Sequence, residues 1–394
     1  MACAAGAQDS DFEFGGHTKF RLAGQSFPDD SLYRDLAGRE SLEIAGDLRL
    51  NLEWARGAWS FDANYQLLGL HSDYRFTSLT NDDRRLFNLT DVIDDDGDNA
   101  FLHRLDRFWV GHTSEKTVLR FGRQALSWGN GMFYAPMDLV NPFDPTAVDT
   151  EYKAGDDMLY VQYLRDNGDD VQGAIVFRRD LVGGDVESDQ ATVTLKYHGF
   201  AGETEYDLLV AQSYGDPVVG IGGSKSVGGA VWRGDIVVTD TDSDTYIQLV
   251  TNLTYSWIAL DKNMSGAIEY YFNGFGQHDG RYDPASLATN PELTSRFLRN
   301  ELYALGRHYV AGSVLIEMSP LWTVTPTVLG NVSDPSALFQ LVTSYSLSDN
   351  MTLLGSLNVP MGGNGTEFGG VDPGVQDRYL SLGAGIFAQF AWYF

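Results

Sequence analysis

Apolar and polar residues alternate along most of this chain with a period of two. The segment SLEIAGDLRLNLEWARG (41–57) shows it most plainly. Leu42, Ile44, Gly46, Leu48, Leu50, Leu52 and Trp54 fall on one face, and Glu43, Asp47, Arg49, Asn51 and Glu53 on the other. That period belongs to a β-strand, whose successive side chains point to opposite faces. The final stretch, RYLSLGAGIFAQFAWYF (378–394), repeats it, with Leu380, Leu382, Ala384, Ile386, Ala388, Phe390, Trp392 and Phe394 on a purely apolar face. Almost no segment holds a helical period over three turns. Read throughout, the alternation predicts eighteen strands, beginning near Phe12, Ser41, Trp59, Phe101, Thr117, Met158, Val171, Ala191, Glu203, Val218, Ala230, Thr245, Met264, Tyr309, Leu321, Ala337, Met351 and Tyr379.

Alternation alone does not separate a soluble sandwich from a barrel in lipid, and the connections decide between them. Tight turns are expected at Ala55–Ala58, Ser114–Lys116, Asn167–Asp170, Gly199–Gly202, Gly228–Gly229, Asp261–Asn263, Ser319–Pro320 and Ser348–Asn350. Between them lie long segments at 75–100, 130–157, 278–297 and 360–377. Short turns at one end and long loops at the other are the pattern of a transmembrane barrel. Trp54, Trp59, Tyr255, Trp257, Trp322, Trp392 and Phe394 sit near strand ends on the apolar face, where they are expected to form two interfacial girdles. In hydrocarbon every backbone group must be paired, so the last strand has to close the sheet against the first. The fold expected is therefore all-β: a single transmembrane antiparallel β-barrel of about 18 strands over residues 11–394, with short periplasmic turns and long extracellular loops. Residues 1–10, MACAAGAQDS, read as the tail of a secretory leader, with Ala5-Gly6-Ala7 fitting the small-x-small cleavage pattern.

The formal net charge is −27, and no basic cluster offers a surface for phosphates, which argues against a nucleic-acid partner. Cys3 is the one cysteine, so neither a disulfide framework nor a cysteine-based metal site is expected. DVIDDDGDN (91–99) and DTDSD (240–244) resemble calcium loops but lack the glutamate at the twelfth position. No histidine pair has zinc-ligand spacing, and GGSKSVGG (222–229) is neither a nucleophile elbow nor a phosphate loop. Neither enzymatic activity nor a cofactor is expected.

A barrel of this size leaves an aqueous lumen. The faces assigned inward carry Lys19, Arg21, Glu43, Asp47, Arg49, Arg120, Arg178, Lys196 and Arg233, charges that a dry core would not hold unpaired. The segment FGRQALSWGNGMFYAPMDLVNPFDPTAVDTEYKAGDDM (121–158) carries three prolines, which exclude a central strand, and too many apolar residues for a solvated tip. It is expected to fold into the lumen as a constriction, with Met132, Phe133 and Tyr134 on the wall and Asp138, Asp144 and Asp149 facing the pore.

Within it, Gly122-Arg123-Gln124, Trp128-Gly129, Pro136-x-Asp138 and Asn141-Pro142-x-Asp144 resemble a pattern of little-characterised Gram-negative outer-membrane porins. The pattern is also similar to the barrel component of porin–cytochrome conduits, and the terminal Phe394 to the closing signal of outer-membrane barrels. The resemblance implies a location in the Gram-negative outer membrane, with lipid, lipopolysaccharide and small solutes as partners. The function expected is passive diffusion of small hydrophilic solutes or ions through a water-filled lumen. The alternatives are a sheath or scaffold holding a multihaem cytochrome, and a transporter of apolar compounds, which the polar lining disfavours. With no Cys-x-x-Cys-His in the chain, any haem would belong to the partner. Oligomeric state stays open.

Overall fold

The computed structural model describes residues 11–75 and 82–394; the expected leader segment 1–10 lies outside them. One sheet contains β1 (Asp11–Ser26), β2 (Glu40–Arg56), β3 (Trp59–Ser72), β4 (Thr90–Asp95), β5 (Asn99–Thr113), β6 (Thr117–Gln124), β7 (Asp156–Leu164), β8 (Asp170–Val176), β9 (Thr192–Ala201) and β10 (Thr204–Ser213). It continues through β11 (Asp216–Val227), β12 (Ala230–Asp240), β13 (Thr245–Ala259), β14 (Lys262–Asn273), β15 (His308–Ser319), β16 (Trp322–Asn331), β17 (Ser336–Ser348), β18 (Met351–Met361) and β19 (Gly385–Tyr393). Every neighbouring pair is antiparallel, and β1 closes the barrel on β19, from His17 opposite Tyr393 to Gln25 opposite Gly385.

Eighteen of these strands form the barrel, as the alternation predicts. The extra one, β4, lies inside the long segment 75–100 and pairs with β5 at residues 100–104, above the stretch 108–113 that β6 covers. It supplies ladder partners where the short β6 does not reach. The last strand begins at Gly385 rather than near Tyr379. Tyr379 and Leu380 bridge instead to Ser31 and Val371, so their backbone groups are committed to loops over the barrel mouth.

The eight tight turns all lie at one end. At the Gly228-Gly229 turn both residues have positive φ, which only glycine adopts without strain. The opposite end carries the long loops, and they contain three short helices that the period-two reading does not anticipate. Two of them, α2 (Pro284–Ala288) and α3 (Pro291–Leu298), begin with proline directly after a capping side chain. Asp283 accepts from the N–H groups of Ala285 and Ser286 and Asn290 from that of Leu293, while α1 (Leu32–Ala37) follows β1.

The outer face is an apolar band in which Phe20, Leu22, Ile44, Ile236, Leu253, Ile268 and Val310 are exposed. Trp54, Trp59, Tyr255, Trp257, Trp322, Trp392 and Phe394 all gather at the short-turn end. The expectation that they make two girdles is thereby corrected to one, because each sits beside a tight turn or the C-terminus.

The hydrophobic core lies in the lumen. In its outer half, Val176, Leu209, Val218, Val237, Val250, Leu329 and Leu338 point inward and pack against Trp128, Tyr134, Met137 and Val140 of the segment between β6 and β7. Strongly polar inward faces were expected; the wall carries this segment on apolar side chains as well as on polar ones such as Gln172, Asp235 and Glu269, and is polar toward the short-turn end.

Candidate functional site

The segment 125–155 enters the barrel through a stem built by Gly122-Arg123-Gln124. Gly122 has φ +127°, and a Cβ there would lie 2.2 Å from the Phe108 carbonyl oxygen. Arg123 is wholly buried. Its Nε donates to Asp157 at 3.0 Å, Nη1 to Asp82 at 2.9 Å and Nη2 to the Phe87 carbonyl at 2.6 Å. Arg123 thus ties the 82–87 segment to Asp157 at the entry to the loop.

The first limb crosses to the β8–β14 wall. The Trp128 indole N–H donates to Gln172 at 2.8 Å, and Asn130 donates its backbone N–H and its amide to the two oxygens of Asp235, at 2.6 and 2.7 Å. Glu269 accepts three consecutive backbone N–H groups, from Met132 at 2.6 Å, Phe133 at 3.0 Å and Tyr134 at 2.8 Å. Tyr134 then stacks on Tyr271, with centroids 4.7 Å apart and planes 8° from parallel. Bonds from a carboxylate to successive amides hold a turn by its backbone, independent of the side chains it carries.

The second limb returns along the opposite wall. Gln340 donates to the Thr146 carbonyl at 2.9 Å. Lys19 pairs with Asp149 at 2.8 Å and Glu151 at 2.7 Å, and the Tyr393 hydroxyl donates to Glu151 at 2.8 Å. The Arg49 guanidinium lies 3.9 Å from the Tyr152 ring centroid, a close cation–π contact. Between the limbs, Lys153 pairs with Asp138 at 2.5 Å, both buried.

Most of the candidate charges are locally paired. Lys19 binds this loop; Arg21 pairs with Asp47 at 3.1 Å, and Arg49 with Asp106 at 2.8 Å. Arg178 pairs with Asp156 at 3.0 Å beside the Tyr214 ring, and Lys196 with Asp207 at 3.0 Å. Glu43 is exposed near the outer rim. Arg120 stacks on Trp109 at 4.6 Å, and Arg233 donates to the Thr254 hydroxyl at 3.3 Å; both are half-buried on the lumen face. Of the three loop aspartates, Asp144 caps its own turn through Thr146, Asp149 faces Lys19, and Asp138 is turned inward to Lys153.

The loop carboxylates titrate in opposite directions. Burial pushes Asp138 up to about 6, against the pull of Lys153. Asp149 is also penalised by burial, but the hydrogen bond and charge of Lys19 hold it below the usual carboxylate range. Burial likewise lowers Lys153 below an ordinary lysine. At the outer mouth, burial pushes Glu367 up to about 7. That side chain accepts from the Leu305 N–H, the Tyr309 hydroxyl and the Asn331 amide, fastening the loop before β19 to the wall.

Glu269, Asp235, Asn130, Lys153 and Tyr152 are structural keys that the candidate set did not contain. Their partners lie as far as 137 residues away, so no local spacing marks them. For Glu269 and Asp235 the available signal was a carboxylate on a face that the alternation turns inward; Asn130, Tyr152 and Lys153 lie on the loop and carry no such signal.

A closed eighteen-stranded barrel with short turns at one end, long loops at the other and an infolded loop after one strand has the architecture of outer-membrane porins. Comparison with solved structures bears this out. A BenF-like porin from Pseudomonas fluorescens Pf-5 is 10% identical over 98% of both chains at a TM-score of 0.53. OccAB4 from Acinetobacter baumannii is 8% identical over 98% of both chains, with a TM-score of 0.55. OpdQ from Pseudomonas aeruginosa is 9% identical over 98% of this chain and 97% of its own, at 0.50. No protein-family model and no curated protein matches the chain.

Proposed function

We propose that this chain is a passive channel of the Gram-negative outer membrane for small hydrophilic solutes or ions, with segment 125–155 setting its narrowest cross-section. The observation that carries this reading is the loop's attachment to both walls, through Glu269 and Asp235 on one side and Lys19 on the other. Below the loop, Glu13, Glu53, Asp62, Glu205, Arg233 and Ser256 keep solvent exposure and form a polar vestibule toward the short-turn end. The apolar outer band meets lipid, and the long loops meet lipopolysaccharide. Ion preference rests chiefly on Arg120 and Arg233, because the other candidate cations face a carboxylate within ion-pair distance.

The test is single-channel conductance of the purified barrel in a planar bilayer under a salt gradient. Discrete steps are expected, and the Arg120→Ala/Arg233→Ala variant should move the reversal potential toward cation preference. A folded, inserted barrel that never conducts would overturn the reading. An unchanged reversal potential in the variant would remove those two residues from the path. A cytochrome sheath is less well supported, since a partner in the lumen would have to displace a loop bonded to both walls.

A further inference from the structure

The sheet is lowest where the lumen loop leaves it. β6 has 8 residues, β7 has 9 and β8 has 7, against 17 in β2 and 15 in β13. A strand tilted by about 45° needs about 9–11 residues to cross hydrocarbon. On the lipid face of this sector the rows begin at Tyr163, beside a tight turn, and end at Leu159, which lies opposite Phe121 on β6 and Ile175 on β8. From Tyr163 to Leu159 is about 14 Å along the strand. An outer-membrane apolar band is about 25 Å tall, so the strands alone do not fill it here.

Above that level the ladder of β5 passes from β6 to β4. Between β4 and β8 the described residues close the wall without a ladder: residues 84–87 lie against Arg178 and Arg179, joined to them by the single Arg85–Arg178 bridge. Irregular backbone persists at membrane depth only when its polar groups find partners within the protein. Side chains supply most of them. The Arg85 N–H donates to the Asp82 carbonyl at 2.9 Å, and the Arg179 guanidinium donates to the Arg85 and Leu86 carbonyls at 3.2 and 2.9 Å. The Phe87 N–H donates to Asp157 at 2.8 Å, and its carbonyl accepts from Arg123 at 2.6 Å. A solvated loop needs no such holders, because water serves its backbone. Asp82, Arg123 and Asp157 are themselves buried, so this set presents no charge outward.

The stretch also continues the lipid-facing surface. Phe121 and Leu119 are exposed on the outer face of β6, and the exposed Phe87 ring packs edge-on against Phe121, with centroids 6.2 Å apart and planes at 86°. Phe87 thus adds a further apolar row where the strand row stops.

We propose that residues 85–87 are barrel wall at hydrocarbon depth, with the Phe87 side chain lying against lipid acyl chains. Arg123 then serves both sides of the wall, its Nη2 holding the Phe87 carbonyl and its Nε holding Asp157 at the stem of the lumen loop. The assignment does not depend on whether the barrel conducts.

The test places one bimane label on the full barrel, in a Cys3→Ser background, refolded into phosphatidylcholine vesicles with brominated acyl chains. The label at Phe87→Cys should lose its fluorescence to the brominated lipid as a label at Val161→Cys on the lipid face of β7 does. A label at Val375→Cys, in the loop before β19, should keep its fluorescence there and lose it to aqueous iodide. A Phe87→Cys label quenched by iodide like that at Val375→Cys would put the stretch in water and overturn the proposal. One that neither quencher reaches would overturn it too, since protein, such as a second copy of the chain, would then cover the patch. Should the Phe87→Cys barrel lack heat-modifiable gel mobility, the unaltered chain decides, in vesicles whose lipid carries a diazirine on the acyl chain. Photoadducts on residues 86–88 would support the wall, and adducts confined to the strands would sink it.

Discussion

The two limbs of the lumen loop are held in different ways. On the β12–β14 side, Glu269 and Asp235 grip backbone amides, so the turn at 130–134 is fixed whatever side chains it carries. On the β19–β2 side, Lys19 and Tyr393 grip the side chains of Asp149 and Glu151, which are themselves partly exposed. The first mode commits one buried carboxylate to three backbone amides, so its loss unpairs all three at once. The second joins side chains, of which Asp149 and Glu151 keep access to solvent that can replace a lost partner. A constriction with one fixed and one yielding edge is the outcome.

The largest expected effect comes from breaking the fixed edge. Glu269→Ala would orphan three amides at once, a loss on the order of 5 kcal/mol in loop anchoring. Conductance should rise, and protease sites around residues 130–140 should open; protection equal to wild type would show that the apolar packing of Tyr134 and Met137 suffices alone.

Next comes the pair between the limbs. Asp138→Ala strands Lys153 as a buried charge and should destabilise by about 3–5 kcal/mol, whereas Asp138→Leu with Lys153→Met should recover most of it. Thermal unfolding of the barrel decides this, and equal losses in both variants would contradict it. The same group sets a pH dependence. With Asp138 raised to about 6, the folded state holds the proton more tightly than the unfolded chain, so its stabilising contribution is full below about pH 4 and is lost as pH rises through 6. Asp149 runs the other way: its depressed value keeps its contribution intact above about pH 4, to be lost only as pH falls through that lower value. Unfolding midpoints from pH 4 to 7 should therefore show a slope that shrinks in Asp138→Asn, leaving the part that belongs to Glu367, and is unchanged in Asp149→Asn.

The smallest effect belongs to the yielding edge. Lys19→Met should weaken that attachment by about 1–2 kcal/mol, given partners with 23% and 35% side-chain exposure. Open-channel noise should increase with little change in mean conductance. A change as large as that of Glu269→Ala would mean the two edges do not differ.

The legible part of this molecule was the part written in short-range pattern. Strand number, loop asymmetry and the lipid-facing set each depend on neighbours two residues apart or on one turn. The infolded segment was visible too, since prolines among apolar residues fit neither strand nor solvated loop. Its stem shows where legibility ends: Gly122-Arg123-Gln124 stands out as a motif, but nothing nearby indicates that Arg123 would meet Asp82 and Asp157. The orientation of Asp138 is a similar case. Its spacing from Asp144 and Asp149 suggested three aspartates facing a pore, and the fold turned it to Lys153 instead.

By itself, then, the sequence determined a closed barrel in lipid through its alternation together with its short-turn, long-loop asymmetry, because a sheet in hydrocarbon has backbone groups that only closure can pair. Which charges cancel and which wall holds the loop were decided by the tertiary structure alone. Those relations join residues distant in the chain that meet only once the sheet has closed around the loop, as Lys19 meets Asp149 across 130 positions of the chain.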